Sequence, residues 1–303
     1  MSPARTEVRV KVGSRELTLS NLDKVMYPEV GFTKGQVIDY YTRIAPVLLP
    51  HLKGRPLTLK RYPNGVDGPF FYEKNCPDHR PSWVKTQPVW SESNGRDIEY
   101  CLAQDLPTLV WAANLADLEM HVTMALARTP QKPTMVVFDL DPGAPADIVE
   151  CCQVGLLLRD LFDDLGLTAF AKTSGSKGLQ VYVPLNTPTS YEVTTPWSRR
   201  IAERLEREHP GLVVSKQKKE LRVGKVLVDW SQNVDSKTTA CVYSLRARSR
   251  PTCSTPVTWD EVAAGAERDL QLVFETEDVL ARVDERGDLF GPLLTLKQKV
   301  KPL

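Results

Sequence analysis

A pair of carboxylates at the end of one apolar segment is the strongest sign of chemistry in this chain. The segment Met135 to Gly143 reads MVVFDLDPG: four apolar residues typical of a buried strand, then Asp139 and Asp141, then a Pro-Gly turn. Side chains two positions apart on a strand point to the same face, so the two acids lie side by side. Because neighbouring carboxylates repel each other, the pattern favours a bound divalent cation. The alternative is a solvated strand end, with Asp141 as a turn former.

Asp229 has the same setting, because Val226-Leu-Val228 is a short apolar strand that ends in this acid. Three carboxylates at strand ends fit one or two Mg²⁺ or Mn²⁺ ions, which take oxygen ligands. In a two-metal site one ion activates an attacking hydroxyl group and the other holds a leaving phosphate. On its own Asp229 is a surface strand-end residue, so the metal hypothesis depends on all three acids together.

A second motif, Ser174-Gly-Ser-Lys-Gly178, lies between two strand-like segments. Its glycines allow backbone N–H groups to converge on an anion, and Lys177 adds a positive charge. The spacing differs from that of a P-loop, because the first glycine and the trailing hydroxyl are misplaced. Beside a metal site the loop predicts triphosphate binding, whereas in isolation it is also compatible with a flexible polar turn.

Cationic and aromatic residues elsewhere are candidates for contacts with phosphates and bases. Lone histidines and strand-end cations are usually structural or solvated, and aromatic residues are usually core. The basic segments 216–225 and 246–250 suit phosphate contacts or form a solvated charged surface. Two adjacent aromatic residues of a strand cannot both point inward, so one of Phe70 and Phe71 is predicted to be exposed, where it could stack on a base. The candidates in these groups are Lys60, Arg61, Phe70, Phe71, His121, Arg222, Lys225 and Arg246.

Composition limits the class of protein. The 303 residues include 39 Lys and Arg against 38 acidic residues, a net charge of +1, so any nucleic-acid surface must be a local patch. No apolar run approaches the roughly 20 residues of a membrane span, and the N-terminus lacks the apolar core of a signal peptide. The six cysteines include no C-x-x-C pair, which indicates a reduced cytoplasm rather than a disulfide scaffold. Cys76 and His79 could supply two zinc ligands, but no second pair with suitable spacing follows.

The periodicities predict one compact unit of intermixed strands and helices, without repeats or low-complexity linkers. Three helices begin with a capping box or an equivalent acidic cap, at Thr33 with Gln36, at Asp147 with Glu150 and at Thr258 with Glu261. The other predicted elements are a hairpin over residues 7–19 that turns at Gly13, strands over 57–61, 96–102 and 179–185, a helix over 107–119, a helix that opens at Thr195-Pro196 and ends near Glu208, and short helices beyond Pro251.

Three motifs in this order, FDLDPG, TSGSKG and VDWSQN, resemble the polymerase domain of bacterial DNA ligase D and its stand-alone relatives in the archaeo-eukaryotic primase superfamily. The resemblance runs from about Leu19 to about Pro251, and we treat 1–303 as a single catalytic unit with a short helical C-terminal segment, 252–303. It implies an α+β fold with two mostly antiparallel β-sheets flanked by helices around a catalytic cleft, and a catalytic core like the RNA-recognition fold.

The activity that this resemblance implies is DNA-dependent nucleotidyl transfer. Such enzymes extend primers, fill short gaps and add nucleotides at DNA ends in bacterial non-homologous end joining; they prefer ribonucleotides and work best with Mn²⁺. The expected partners are DNA ends, as a gapped or overhang duplex with a 5′-phosphate, together with a separate DNA ligase and an end-binding protein. The expected location is the cytoplasm, at the nucleoid.

The resemblance also implies roles for individual residues. Asp139, Asp141 and Asp229 would ligate two Mn²⁺ or Mg²⁺ ions. The triphosphate would be held by the loop, with cations from other segments, and Gln232 would lie near the ribose. Nucleotide contacts are therefore expected from Ser174, Ser176, Lys177, Gly178, His121, Lys60, Arg61, Gln232 and Arg246. DNA contacts are expected from Lys24 and Lys34 at the downstream 5′-phosphate, Phe70 and Phe71 at the template, and the basic residues Arg222 and Lys225.

Some features depart from the family or leave room for other functions. No K-x-D-G ligase motif and no phosphoesterase-like segment is present, so the chain is either a free-standing polymerase, which its Met1 start favours, or an excised domain. The segment Cys76 to His79 also differs from the family pattern. A phosphatase of the haloacid dehalogenase type also uses a D-x-D strand, but Gly143 stands where such enzymes usually have Thr or Val. A non-catalytic DNA-end bridging factor would use the basic patches alone.

Overall fold

Two six-stranded β-sheets form the framework of the structure, a computed structural model that describes residues 6–302. In chain order the strands are β1 Glu7–Val12, β2 Arg15–Ser20, β3 Val25–Tyr27, β4 Phe32–Thr33, β5 Leu57–Arg61, β6 Phe71–Glu73, β7 Lys85–Ser91, β8 Arg96–Leu102, β9 Asp117–Val122, β10 Met135–Pro142, β11 Phe170–Thr173, β12 Leu179–Pro184, β13 Val213–Val214, β14 Val226–Asp229, β15 Thr239–Ala240 and β16 Pro256–Val257. The α-helices are α1 Lys34–Leu52, α2 Leu106–Asn114, α3 Ile148–Asp164, α4 Tyr191–Glu208, α5 Trp259–Ala266 and α6 Thr276–Arg286.

The two sheets are mostly antiparallel. The first sheet has the order β13-β14-β10-β12-β11-β16, in which only β13 and β14 run parallel. The second has the order β15-β9-β5-β8-β7, with β6 paired to β5. The predicted α+β class with two mostly antiparallel sheets and flanking helices is confirmed.

Strand β10 separates two hydrophobic cores. Phe138 and Leu140 pack into the core formed with α3 and α4, whereas Val137 belongs to the core shared with the second sheet. Since alternate residues of a strand share a face, Asp139 and Asp141 continue the face of Val137. The two acids therefore lie on the side of the first sheet that faces the second sheet.

Local sequence signals correctly predicted three of the six α-helix starts in residues 6–302. The capping boxes at Thr33, Asp147 and Thr258 are all present. The predicted hairpin is also present, with Gly13 in the left-handed region at φ 57°. The helix predicted from Thr195 begins earlier, at Tyr191, and includes Pro196.

The predicted helix over residues 107–119 was wrong beyond Asn114. The chain leaves α2 through Ala116, which has a positive φ of 61°, and Asp117 begins β9. Every residue of β9 is buried, so the strand lacks the alternation of apolar and polar residues that would have identified it. The apolar residues of β9 continue the helical spacing of α2. The predicted helix therefore failed to place Glu119 and His121 on the strand that carries them.

The cysteine pattern indicates a reduced protein rather than a disulfide scaffold, but the structure contains a disulfide. Cys76 and Cys101 are disulfide-bonded with their Cα atoms 5.0 Å apart, and the Cys76 N–H donates to the carbonyl of Glu99 (2.6 Å). The two cysteines are 25 positions apart, so only the pairing of this loop with β8 brings them together. The bonded sulfur of Cys76 is no zinc ligand beside His79. The other four cysteines are free and buried.

The C-terminal segment packs into both halves of the molecule. It contributes β16 to the edge of the first sheet, which the sequence did not predict, as well as the predicted helices α5 and α6. Asp288 accepts a hydrogen bond from the Tyr243 hydroxyl (2.6 Å), and its other carboxylate oxygen lies 2.8 Å from His51 Nε2 on α1. No helix in residues 6–302 is long and apolar enough to cross a lipid bilayer.

Candidate active site

The three predicted acids meet at the end of the first sheet. Asp139 pairs directly with Asp229 across the antiparallel strands β10 and β14, and Asp141 lies two positions further along the same face. Asp229 is buried, Asp139 is half-buried and Asp141 is exposed. The register of two strands thus brings together acids that are 90 positions apart in the chain.

These carboxylates repel one another. Burial and the neighbouring charge of Asp141 raise the pKa of Asp139 to about 7. Burial and Asp229 raise the pKa of Asp141, while the positive charges of Arg222 and Arg246 oppose that rise. The cluster therefore lacks enough positive charge of its own to keep every carboxylate ionised.

The donor set suits a hard divalent cation, because it consists of carboxylate oxygens alone. No group of three or more His, Cys, Asp or Glu side chains in residues 6–302 is already arranged as a metal site. Asp229 is meanwhile held by the amides of Gln217 and Gln232, each 3.2 Å from Oδ2, and by the N–H of Ser231, 2.9 Å from Oδ1. The predicted residue Gln232 thus contacts the predicted metal ligand directly.

On the second sheet, the carboxylate of Glu119 contacts three of the predicted nucleotide-binding residues. Its carboxylate oxygens lie 3.1 Å from Lys60 Nζ, 3.0 Å from His121 Nε2 and 3.2 Å from Arg246 Nε. Burial alone would raise the pKa of Glu119, but the hydrogen bond with His121 and the charges of Arg246 and Lys60 hold it well below its usual range. Burial lowers the pKa of His121, an effect that Glu119 opposes.

The Ser174–Gly178 loop lies between these two groups. The Ser174 hydroxyl accepts hydrogen bonds from the N–H groups of Ser176 (3.2 Å) and Gly178 (3.1 Å). The Ser174 carbonyl accepts one from Arg246 Nη1 (2.5 Å), which ties the loop to the cations of the second sheet. Lys177 is exposed and makes no hydrogen bond or ion pair within the described part of the chain. Ser174 and Arg246 therefore meet as predicted, and the charge of Lys177 is available to a ligand.

Arg61 is separate from the other predicted nucleotide contacts. It follows Lys60 on β5 and so points to the opposite face, where it bonds Glu73 (2.7 Å). There it lines a cavity of about 580 Å³ together with Lys24 and Lys34. Lys24 donates to Asn64, whereas Lys34 is buried and donates to the Ser20 carbonyl (2.6 Å). The predicted 5′-phosphate lysines thus share one cavity, to which Arg61 adds a third cation.

The predicted aromatic pair is divided between the same two faces. Phe70 and Phe71 are both exposed, at 51% and 43%. Phe70 lies on the face of Lys60, whose Nζ is 4.6 Å from its ring centre, and Phe71 lies on the face of Arg61, 5.2 Å away. Tyr72, which sequence reasoning did not select, returns to the Lys60 side.

The two basic DNA-binding candidates near β14 differ in setting. Lys225 is tied to the carbonyl of Pro210 (2.6 Å). Arg222 has a buried Nε without a hydrogen-bond partner in residues 6–302, and its backbone packs tightly on the turn after Asp141. A Cβ atom at Gly143 would come within 2.0 Å of the Arg222 carbonyl oxygen, so only glycine fits this turn. Arg222 is therefore the one of the two that borders the acids.

Sequence reasoning missed a polar row beneath the site. Lys172, Gln180, Asp139 and Asp229 are successive cross-strand partners on β11, β12, β10 and β14. Lys172 is 1% exposed, and its Nζ donates to Ser254 Oγ (2.5 Å). Gln180 hydrogen-bonds Asp139. A polar residue at an inward position of a buried strand was the available signal.

Comparison with known proteins identifies the family. A family model described as the LigD primase-polymerase domain matches residues 33–290. The chain belongs to this family. The multifunctional non-homologous end joining protein LigD of Mycolicibacterium smegmatis is 44% identical over 277 residues, which cover 91% of this chain and 36% of that protein. The bifunctional non-homologous end joining protein LigD of Bacillus subtilis is 32% identical over 273 residues, 90% of this chain and 43% of that protein.

A solved structure of the LigD polymerase domain has the same fold as this chain. The polymerase domain from Mycobacterium tuberculosis Ligase D, solved in complex with DNA, matches with a TM-score of 0.86 and 41% sequence identity, covering 93% of this chain and 99% of that one. The predicted family and the enzyme class, a primase-polymerase nucleotidyltransferase, are confirmed. This membership excludes the haloacid dehalogenase alternative. The chain spans between 33% and 43% of the length of the curated LigD relatives it matches.

Proposed function

We propose that this LigD-type primase-polymerase extends primers, fills short gaps and adds nucleotides at DNA ends in bacterial non-homologous end joining, with a preference for ribonucleotides. One observation carries the proposal: the acids and a group of positively charged side chains lie close together, on facing sides of the two sheets. Asp139 and Asp141 lie on the first sheet, whereas Lys60, Glu119 and His121 lie on the second, where Arg246 contacts Glu119. Arg246 is close enough to oppose the rise in the pKa of Asp141. A nucleoside triphosphate with its metals needs both groups.

The acids are proposed to hold two divalent ions, Mn²⁺ or Mg²⁺. When bound, such ions activate the primer 3′-hydroxyl and neutralise the charge on the triphosphate. The raised pKa of Asp139 supports this proposal, because a bound cation would offset both the burial of its charge and the repulsion from Asp141 that raise it.

The residues of the chain would position the reactants. Lys177, Ser174 and Arg246 are proposed to bind the triphosphate and to orient it for in-line attack. Gln232, beside Asp229, is proposed to hydrogen-bond the ribose, because a contact with the 2′-hydroxyl would be left unpaired by a deoxyribonucleotide. Phe70 and Tyr72 would stack near the template.

The cavity on the other face of β5 is proposed to bind the 5′-phosphate of the downstream strand. Three cations, Lys24, Lys34 and Arg61, line it. A separate DNA ligase and an end-binding protein are proposed as partners, at the nucleoid in the cytoplasm.

Primer extension on a short gapped duplex with a 5′-phosphate and Mn²⁺ tests the proposal, with ribonucleotides and deoxyribonucleotides compared. Asp139→Ala and Asp229→Ala are expected to abolish extension, while the exposed Asp163→Ala on α3 serves as the matched control. Ribonucleotide-preferring extension that is lost only in the first two variants supports the polymerase. Tight binding of gapped DNA by wild type without any extension would instead favour the non-catalytic bridging factor.

A further inference from the structure

The buried carboxylate of Glu119 lies beneath two cations, Lys60 and Arg246, and the imidazole of His121. The side chain of Glu119 is 2% exposed, whereas those of Lys60, His121 and Arg246 are 12%, 11% and 18% exposed. These three side chains therefore lie between the carboxylate and solvent. A ligand can touch their outer sides but cannot reach Glu119 itself.

The arrangement follows from the strand register. Lys60 on β5 stands directly opposite Glu119 on β9, and His121 lies two positions along β9 on the same face. Such neighbours would meet in any sheet with this register. Lys60 and Arg246 carry like charges that repel each other, and the Glu119 carboxylate between them offsets this repulsion.

Arg246 extends the arrangement to the other sheet. One side of its guanidinium lies against Glu119 Oε2, and Nη1 donates to the Ser174 carbonyl (2.5 Å) in the triphosphate loop. Glu119 Oε1 also accepts the N–H of Ala247 (3.0 Å), so it holds the backbone beside Arg246 as well. Through one side chain, Glu119 therefore sets the position of the loop relative to the cations on the second sheet.

We propose that Glu119 is a positioning residue of this primase-polymerase, which holds Lys60, His121 and Arg246 at the spacing required by a bound triphosphate. The inference rests on the proposed function and names a residue that acts in nucleotide binding without touching the nucleotide. It also assigns the orientation of Arg246 to the carboxylate beneath it rather than to the ligand.

Two accounts of Glu119 predict changes of opposite sign. If the carboxylate only contributed charge, its neutralisation would strengthen the attraction between the site and an anionic triphosphate. If it positions the cations, the same change lets them separate and weakens binding, because aligned charge-assisted contacts are lost. The sign of the change in affinity therefore distinguishes positioning from a plain charge effect.

The experiment measures equilibrium binding of ATP with Mn²⁺, without primer, to wild type and to Glu119→Gln and Glu119→Asp. We expect the dissociation constant to rise about tenfold or more for Glu119→Gln, and by a smaller factor for Glu119→Asp, which keeps the charge but is one methylene shorter. Glu261→Gln is the matched control. Glu261 lies on α5, outside the site, and its carboxylate also pairs with two arginines, Arg282 (2.7 Å) and Arg286 (3.2 Å). Its affinity is expected to equal that of wild type.

Unchanged or tighter binding in a folded Glu119 variant overturns the proposal. If Glu119→Gln does not fold, Glu119→Asp decides the question, since it retains the buried charge. Because this assay contains no DNA, it remains informative if wild type extends no primer, a result that would instead overturn the proposed function.

Discussion

Gly178 lies against the backbone of Leu140 so closely that a Cβ atom on Gly178 would come within 2.0 Å of the Leu140 carbonyl oxygen. Leu140 separates Asp139 from Asp141, so this contact places the Ser174–Gly178 loop directly over the strand that carries the acids. We expect Gly178→Ala to lower the free energy of unfolding by about 1–3 kcal/mol, because backbone atoms on both sides must shift. Urea unfolding measures this change.

Nucleotide affinity is expected to fall in the same Gly178→Ala variant, since the loop must move away from β10. Gly211→Ala is the control, because no atom lies within 4 Å of a Cβ at that position. Equal effects of the two substitutions would show that the close contact has no influence on the loop.

The raised pKa of Asp139, about 7, predicts a pH dependence of stability in the absence of metal. An unfolded Asp titrates near pH 4, so the folded chain binds an extra proton between about pH 4 and 7. The resulting stabilisation is present below about pH 4 and is lost as the pH rises through 7. A bound Mn²⁺ ion would replace the proton as the source of positive charge, so adding Mn²⁺ should raise the Tm more at pH 8 than at pH 5, by roughly 2–4 °C.

Thermal unfolding of wild type and Asp139→Asn at both pH values measures this effect. The variant removes the titrating group, so the difference in Tm between the two proteins should change with pH. A difference that is the same at pH 5 and pH 8 would contradict the assigned cause.

The opposite orientations of Phe70 and Phe71 predict separable defects. Phe70 lies on the face of Lys60, and Phe71 on the face of Arg61. Phe70→Ala should slow extension about tenfold on every gapped template, because a stacking surface in the cleft is lost. Phe71→Ala should leave the KM for nucleotide unchanged and reduce the advantage of a 5′-phosphorylated gap. Steady-state extension on gaps with and without the phosphate compares the two, and identical defects would contradict the division.

The shared cavity of Lys24 and Arg61 predicts that both contact one phosphate group. Lys24→Ala or Arg61→Ala should reduce the preference for a 5′-phosphorylated gap, and each should lower the slope of log K against log salt concentration by about 1. Fluorescence anisotropy with labelled gapped DNA measures both quantities, with the exposed Lys132→Ala as the control. If Arg61→Ala changed the KM for nucleotide but not the preference for a 5′-phosphorylated gap, the result would show that Arg61 contacts the nucleotide instead.

Local sequence patterns predicted the parts of the site that depend on one segment. The apolar run before Asp139 identified its strand, and the glycines around Lys177 identified the loop. The facing of Asp139 and Asp229 depends on the register of two distant strands, which no local pattern encodes.

Glu119 could not be found because its strand is buried on both faces. Because β9 lacks an alternation of apolar and polar residues, its sequence predicts a continuation of α2, and a carboxylate in a predicted helix gives no reason to connect Glu119 with Lys60. The Cys76–Cys101 pair was missed for a related reason, since a contact across 25 positions exists only after the loop has folded back on β8.

The segment after Pro251 contains none of the residues proposed to contact nucleotide or DNA, yet it supplies side chains to both hydrophobic cores, among them Val262 in one and Phe290 in the other. A chain shortened at Pro251 would keep the whole set of proposed catalytic and binding residues. It would also expose apolar surface that these side chains cover, and we expect it to aggregate rather than to polymerise. The motifs that identify the enzyme therefore occupy a shorter part of the chain than the part that is required for folding.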